Sequence, residues 1–146
     1  MENQDIRWIQ RFNNFQKALA KLGAVADVKQ VSDLSELEQE GLIQRFEYTY
    51  ELAWKTLQDL LKYRGYQGIS GPNPVLTQAF QDGFIKDGEA WSSMSAARNI
   101  SSHTYDSDAA KEIAGNILSS YYFLFRDLEK RLDTERYGNQ LNLSEN

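Results

Sequence analysis

The residues best suited to chemistry surround the only histidine of the chain. Arg98 stands five residues before His103, and Tyr105 stands two residues after it, within a segment that reads RNISSHTY. An imidazole titrates near neutral pH and can accept or donate a proton. A guanidinium is a permanent cation whose planar fork matches a phosphate. The segment therefore combines a proton-transfer group with an anion-binding group.

One histidine and one arginine can support RNA cleavage without a metal ion. His103 would deprotonate a 2′-hydroxyl or protonate the leaving oxygen, while Arg98 would stabilise the charged phosphorane-like transition state. A serine hydrolase is a weaker interpretation, because no nucleophile-elbow pattern surrounds Ser101 and Ser102. A zinc site is unsupported, because the chain has one histidine and no cysteine. The alternative without chemistry is that His103 caps a helix or holds an interface.

Helical geometry does not by itself bring the two groups together. On an ideal helix, where each residue advances about 100°, Arg98 lies about 20° from Tyr105 but about 140° from His103. Asn99 lies about 40° from His103 and could orient its ring. The polar residues from 101 to 107 predict that the helix ends or bends here, which would re-aim His103.

The elements that position this segment are helical. Apolar residues at three- and four-residue spacing predict helices over about 5–27, 36–64, 74–84, 89–102 and 107–135. We expect an all-α, up-and-down bundle of three long and two shorter helices in one domain over residues 1–135. A polar tail over residues 136–146 is expected to fray.

Several residues mark where these helices begin and end. Ser32 or Ser35 could cap the second helix, and Gly65 could stop it. Asn73 as cap and Pro74 at the first helical position are expected to open the third helix. The glycine- and proline-rich residues before it lack the spacing of a phosphate-binding loop and predict a plain connection. In the first helix, Trp8 lies off the apolar stripe, among polar residues.

A charged row on the second helix has two interpretations. Glu47, Glu51 and Lys55 follow each other at four-residue spacing, and Glu51 is oriented to pair with Lys55. The row is either a solvated ion-pair ladder or the border of the active surface. In the second case Glu51, Lys55 and Trp91 are candidate substrate contacts. A metal site from the two glutamates is disfavoured, because no histidine stands beside them at a ligand spacing.

Composition limits partners and location. A net charge of −5 argues against broad, sequence-independent binding to nucleic acid. It leaves room for RNA held by a few local cations or by a site built from two subunits. The absence of cysteine, of a signal-like N-terminus and of an apolar run of roughly 18 to 20 residues predicts a cytoplasmic protein that does not enter a membrane.

The pattern Arg-x4-His-x-Tyr over residues 98–105 resembles the signature of HEPN-domain proteins. In particular it resembles the HepT-like toxins, also known as nucleotidyltransferase substrate-binding proteins. The run QRFEYTYELAWKTL over residues 44–57 is similar to the second helix of that family. The residues from Ala79 to Trp91 are similar to its connecting segment. The resemblance covers roughly residues 5–132.

The resemblance implies a helical homodimer that brings two Arg/His sites together in a cleft. It implies a metal-independent ribonuclease acting on tRNA or mRNA, with no cofactor of its own. The implied partner is an MntA-like nucleotidyltransferase antitoxin, which uses ATP to transfer AMP onto the motif tyrosine. On this chain Arg98 and His103 become the catalytic pair, Asn99 and Ser102 supporting residues, and Tyr105 the modified residue.

Residues 71–74 depart from many relatives, because no basic residue follows the proline closely. This departure removes one expected substrate contact. Two other functions stay open at this point. The chain could be a non-catalytic subunit that binds a substrate for a nucleotidyltransferase or regulates it. It could also be a dimeric helical adaptor in which Arg98 and His103 hold an interface.

Overall fold

The computed structural model describes residues 2–27, 29–101 and 106–145, and the regular structure of these residues is entirely helical. The helices are α1 (Glu2–Ala26), α2 (Glu36–Tyr63), α3 (Pro72–Gln81), α4 (Gly88–Ser101), α5 (Ser107–Asn116) and α6 (Tyr122–Glu145). A π-helical turn, Ile117–Tyr121, joins α5 to α6 without a break. The predicted all-α bundle of three long and two shorter helices is thereby confirmed. None of these helices combines the length and the apolar character that a membrane crossing needs.

Helix α2 is the centre of the bundle, because it packs against α1, α3, α4 and α5. Its start is a capping box in which the Ser35 hydroxyl accepts from the Glu38 amide at 3.1 Å, and the Glu38 carboxylate accepts from the Ser35 amide at 3.0 Å. Its last helical residue is Tyr63, and Gly65, whose φ of 100° is in the left-handed region, stops it. The Tyr66 amide then donates to the Leu61 carbonyl at 3.1 Å, which completes a Schellman motif. Of the two caps predicted for α2, Ser35 is the one used, and the stop at Gly65 is confirmed.

Helix α3 begins two residues earlier than the sequence predicted. Gly71 is its N-cap, with a φ of 87°, and Pro72 occupies the first helical position. The predicted start at Asn73 and Pro74 was therefore wrong. The sequence offered two prolines suited to a helix start, and Pro74 is tolerated inside the first turn because the amide it lacks would have no partner there. The helix begins directly after Gly71, because glycine can adopt the left-handed conformation that precedes it.

The core is an aromatic cluster between α1, α2, α4 and the last helix. The ring of Phe46 lies 5.5 Å from that of Tyr121 and 6.1 Å from that of Phe125. Phe15 and Trp91 meet Phe125 edge-on at 6.1 and 6.0 Å, the geometry that aromatic rings prefer. The apolar residues at three- and four-residue spacing that predicted these helices are mostly buried, whereas Ile9 and Ala26 of α1 are half-buried. The buried ones are Phe12, Phe15, Leu19, Leu22, Ile43, Phe46, Tyr50, Ala53, Leu57, Leu60, Ile113, Ile117, Tyr121, Phe125, Leu128 and Leu132.

Two features of the first and last helices differ from the simplest sequence interpretation. Trp8, off the predicted stripe, is fully buried beside Phe12, with ring centroids 6.0 Å apart. Both α2 and α6 pack on α1, so its buried face is wider than one stripe. The last helix continues through residue 145 instead of ending near residue 135, and the predicted fraying of this tail stays a prediction. The guanidinium of Arg136 anchors this part on α1, 4.9 Å from the Phe12 ring and 2.8 Å from the side-chain oxygen of Asn13. The domain boundary at residue 135 stays a prediction.

Candidate functional site

Arg98 lies in the last turn of α4, and its guanidinium contacts two glutamates of α2. Its Nη1 lies 3.3 Å from Oε2 of Glu47, and its Nη2 lies 3.7 Å from Oε1 of Glu51. The predicted pair of Glu51 with Lys55 is present at 3.7 Å. The charged row is thus an ion-pair ladder that also binds the motif arginine.

Ser101, the last residue of α4, completes this arrangement. Its hydroxyl lies 2.5 Å from Oε2 of Glu47 and 2.9 Å from the carbonyl oxygen of Arg98, so its proton has two acceptors within reach. We call Arg98, Glu47, Glu51 and Ser101 the Arg98 clamp. The sequence singled out the Glu47 row but assigned no role to Ser101. The sequence did carry a signal for this role, since a serine three residues after Arg98 lies next to it on the surface of a helix.

The clamp balances charge and orients the arginine. The Arg98 side chain is 24% exposed and that of Glu47 is 21% exposed, so both ions are largely removed from water. Partly buried ion pairs are screened less by salt than surface pairs. The Nε atom of Arg98 is buried and has no hydrogen-bond partner among the described residues. The N–H groups of Nη1 and Nη2 that do not contact Glu47 or Glu51 are the ones that could bind an anion.

Beneath the clamp, Tyr50 ties α2 to α4. Its hydroxyl lies 2.7 Å from the Ser95 hydroxyl, and the side chain is buried. Burial raises the pKa of Tyr50 above its ordinary value of 10.0, and the nearby carboxylate of Glu51 acts in the same direction. The Ser95 hydrogen bond and the Arg98 charge lower the pKa, but burial is the larger effect.

The raised pKa of Tyr50 predicts a loss of stability in alkali. Above about pH 10 the unfolded chain loses the Tyr50 proton first, so the unfolded state is favoured as pH rises. The stabilisation that Tyr50 contributes is complete below the pKa of tyrosine in the unfolded chain. It is lost as the pH rises through the pKa of Tyr50 in the folded protein. Between about pH 8 and about pH 11, we expect the melting temperature of Tyr50→Phe, measured by circular dichroism, to fall less than that of wild type. Tyr48→Phe, which changes an exposed tyrosine of the same helix, should keep the wild-type slope. Equal slopes for Tyr50→Phe and wild type would contradict the prediction.

The predicted site residues that the structure describes fall into three groups. Arg98, Glu51 and Lys55 lie together at the clamp. Asn99 is exposed on the adjacent face of α4. Trp91 is only 3% exposed and packs on Phe125, so the ring is part of the core. If Trp91 contacts a substrate, as the sequence predicted, only the small exposed part of its ring can do so.

Ser102, His103 and Tyr105 lie outside the described residues. The described chain leaves α4 at Ser101 and resumes at Asp106, whose carboxylate accepts from the Asp108 amide at 3.0 Å and caps α5. The predicted start of the last long helix at residue 107 is confirmed. The proposed alignment of Arg98 with His103 stays a prediction.

An acidic hollow of about 450 Å³ borders the ends of this segment. Ser101 and Asp106, the described residues on either side of positions 102–105, both line it. Its described lining carries the carboxylates of Glu36, Glu40, Glu47 and Asp106 and no basic side chain. Negative charge at this density repels a phosphodiester. An anionic ligand of Arg98 would therefore approach from a side other than this hollow.

Comparison with known proteins identifies the family. Residues 10–134 match the family described as nucleotidyltransferase substrate binding protein like. The chain belongs to this family, as the resemblance in the sequence predicted. It is 34% identical over 98 residues to a Haemophilus influenzae protein named probable ribonuclease HepT, a match that covers 62% of this chain and 67% of that protein.

Two solved structures share the fold. A Thermus thermophilus protein is 34% identical, with a TM-score of 0.72 over 81% of this chain and 98% of its own. A Haemophilus influenzae protein, described as having the fold of a substrate binding domain of a nucleotidyltransferase, has a TM-score of 0.62 over 88% of this chain and 98% of its own. At 24% identity this second structure supports the fold alone.

Proposed function

We propose that this protein is a metal-independent RNA endonuclease of the HEPN type and the toxin of a toxin–antitoxin pair. The observation that carries the proposal is the Arg98 clamp. It holds a half-buried guanidinium in the last turn of α4, five residues before the only histidine of the chain. A relative at 34% identity bears the name of a probable ribonuclease, which supports the same reaction class.

In the proposed reaction the chain supplies a proton-transfer group and a fixed cation. His103 takes the proton of the 2′-hydroxyl or gives one to the leaving 5′-oxygen. The 2′-oxygen bonds to phosphorus as the bond to the 5′-oxygen breaks, which leaves a 2′,3′-cyclic phosphate and a 5′-hydroxyl. Arg98 binds the non-bridging oxygens, where negative charge increases in the transition state. Two such sites in a homodimer cleft would supply the two proton transfers.

The proposed control is the transfer of AMP to Tyr105 by an MntA-like nucleotidyltransferase. The Tyr105 oxygen attacks the α-phosphorus of ATP, and pyrophosphate leaves. The new phosphodiester carries a negative charge two residues from His103 and within the same motif as Arg98. It would compete with RNA for the guanidinium. ATP serves the partner as AMP donor, and the chain needs no cofactor of its own.

Removal of His103 tests the nuclease. Expressed without its partner, the wild-type chain is expected to arrest growth, and the purified chain to cleave RNA in the presence of EDTA. His103→Ala should abolish both, because His103 is the only histidine of the chain and imidazole is the side chain whose ordinary pKa lies near neutrality. The variant should keep the wild-type circular dichroism spectrum and melting temperature. A harmless wild type, or cleavage that survives His103→Ala, would rule out this function.

The proposed modification has a separate test. Co-expression with the nucleotidyltransferase should increase the mass of the intact chain by one or more AMP units and suppress growth arrest. Tyr105→Phe removes the accepting oxygen and should prevent the mass increase, whereas Tyr48→Phe, which changes an exposed tyrosine of α2, should accept AMP on Tyr105 as wild type does. A mass increase that persists in Tyr105→Phe would place the modification on another residue.

The second candidate is a non-catalytic subunit that binds the substrate of a nucleotidyltransferase or regulates it. The family description and the charge balance of the clamp favour it, because two carboxylates already neutralise Arg98. This function predicts that the wild-type chain and His103→Ala are equally harmless. It also predicts that loss of the chain alters the activity of the partner enzyme.

A further inference from the structure

A second feature lies on the other side of α4, between that helix and α3. It is a cavity of about 490 Å³, within the range of ligand sites in proteins. No ionisable side chain is among its described lining. Phe80 and the edge of Trp91 form apolar walls, and the amides of Asn73 and Asn99 and the hydroxyl of Ser92 supply polar groups. We call it the α3–α4 cavity.

The Phe80 ring is held at the cavity wall and is still accessible. A β-carbon at Gly88 would lie 3.4 Å from Cδ2 of Phe80, so the ring packs directly against the backbone of Gly88. The side chain is nevertheless 49% exposed. A supported and exposed aromatic ring is a stacking platform for a planar group.

The cavity is adjacent to the Arg98 clamp. Ser92, Ala96 and Asn99 follow one face of α4 at helical spacing and line the cavity. Arg98 precedes Asn99 and points about 100° away from it, toward α2. Their α-carbons are about 3.8 Å apart. A phosphate on Arg98 and a ring in the cavity would therefore lie on neighbouring faces of the same turn.

We propose that the α3–α4 cavity binds an RNA base next to the scissile phosphate, with its ring against Phe80 and its polar edge on Asn73 and Asn99. This inference rests on the proposed nuclease function. The uncharged lining is unsuited to a phosphate or carboxylate but suited to a neutral heterocycle. A carboxamide offers both a donor and an acceptor, which base edges require. Recognition of unpaired RNA commonly joins stacking on an aromatic ring to such hydrogen bonds.

Two variants and one matched control test the cavity. Phe80→Ala removes the platform, and Ala96→Leu fills the cavity from an exposed position of α4. Phe123→Ala is the control, because Phe123 is 48% exposed on α6 and outside the cavity lining. With single-stranded RNA, both cavity variants are expected to raise KM about tenfold or more at nearly unchanged kcat, and to weaken the base preference at the cleavage position.

A binding measurement makes this test independent of cleavage. Fluorescence anisotropy with the His103→Ala chain should show tighter binding of a short RNA than of the same strand with an abasic residue in place of one base. Phe80→Ala in this background should remove the difference, and Phe123→Ala should keep it.

The inference is overturned if Phe80→Ala prefers the intact strand over the abasic strand as strongly as Phe123→Ala does. It is also overturned if Phe80→Ala changes only the oligomeric state in size-exclusion chromatography, which would assign the cavity to a second copy of the chain. If wild type cleaves RNA while neither cavity variant differs from it, the nuclease stands and the base site fails. If wild type does not cleave but the abasic difference appears and depends on Phe80, the nuclease fails and the base site stands.

Discussion

Arg98→Lys is expected to reduce kcat for RNA cleavage about 10²- to 10³-fold, the loss typical when one donor to a developing oxyanion is removed. The charge is retained, so a simple electrostatic role for residue 98 would predict a much smaller effect. In the clamp, Nη1 and Nη2 of Arg98 contact Glu47 and Glu51 separately. A lysine ammonium is a single point of charge and cannot occupy both positions while also binding a phosphate.

The measurement is the single-turnover cleavage rate of the purified chain, accompanied by the growth assay. Arg126→Lys is the matched control, because Arg126 is exposed on α6, with its guanidinium 5.8 Å from the Tyr122 ring. The companion variant Glu47→Gln keeps a hydrogen-bond acceptor near Nη1 and should retain more activity than Glu47→Ala. Activity of Arg98→Lys within about threefold of wild type would contradict the oxyanion role.

Phe46→Ala is expected to lower the free energy of unfolding by about 3 to 5 kcal/mol, the cost of deleting a large buried aromatic ring. Phe46 is fully buried, and its ring meets those of Tyr50, Tyr121 and Phe125. The cavity left behind would separate α2 from the last helix. Since Glu47 is the next residue of α2, the clamp would lose its support as well.

Urea unfolding followed by circular dichroism measures this loss, and Phe46→Leu provides a graded variant if the alanine variant fails to fold. Phe123→Ala should cost less than about 1 kcal/mol, because about half of that side chain is already in water. Equal losses at Phe46 and Phe123 would contradict the assignment of the core. A change in the midpoint at constant slope is expected, because unfolding exposes a similar surface in each variant.

The surface next to the clamp is acidic, as the whole chain is. The protein has a net charge of −5, and the hollow beside Ser101 is acidic. If the proposed nuclease function holds, RNA is bound through Arg98 and through stacking in the α3–α4 cavity rather than through a broad basic surface.

The sequence alone determined which segments are helices and most of what they bury. Apolar periodicity depends on neighbours three and four residues apart, so Phe46, Tyr50 and Leu57 were correctly predicted to be buried. The stop of α2 followed from Gly65 and its start was narrowed to Ser32 or Ser35, because caps are local hydrogen bonds. The motif around His103, together with the run over residues 44–57, likewise carried the resemblance to the family.

Only the tertiary structure decided what Arg98 contacts. Glu47 and Arg98 are 51 residues apart in the chain, and Glu47 and Ser101 are 54 apart. Helical projection assigned Arg98 a direction on α4, but it could not say which helix lies in that direction. The same holds for Trp8, which is buried because two helices cover α1. Local periodicity determines the face of a helix, whereas the packing of the bundle determines which residue that face meets.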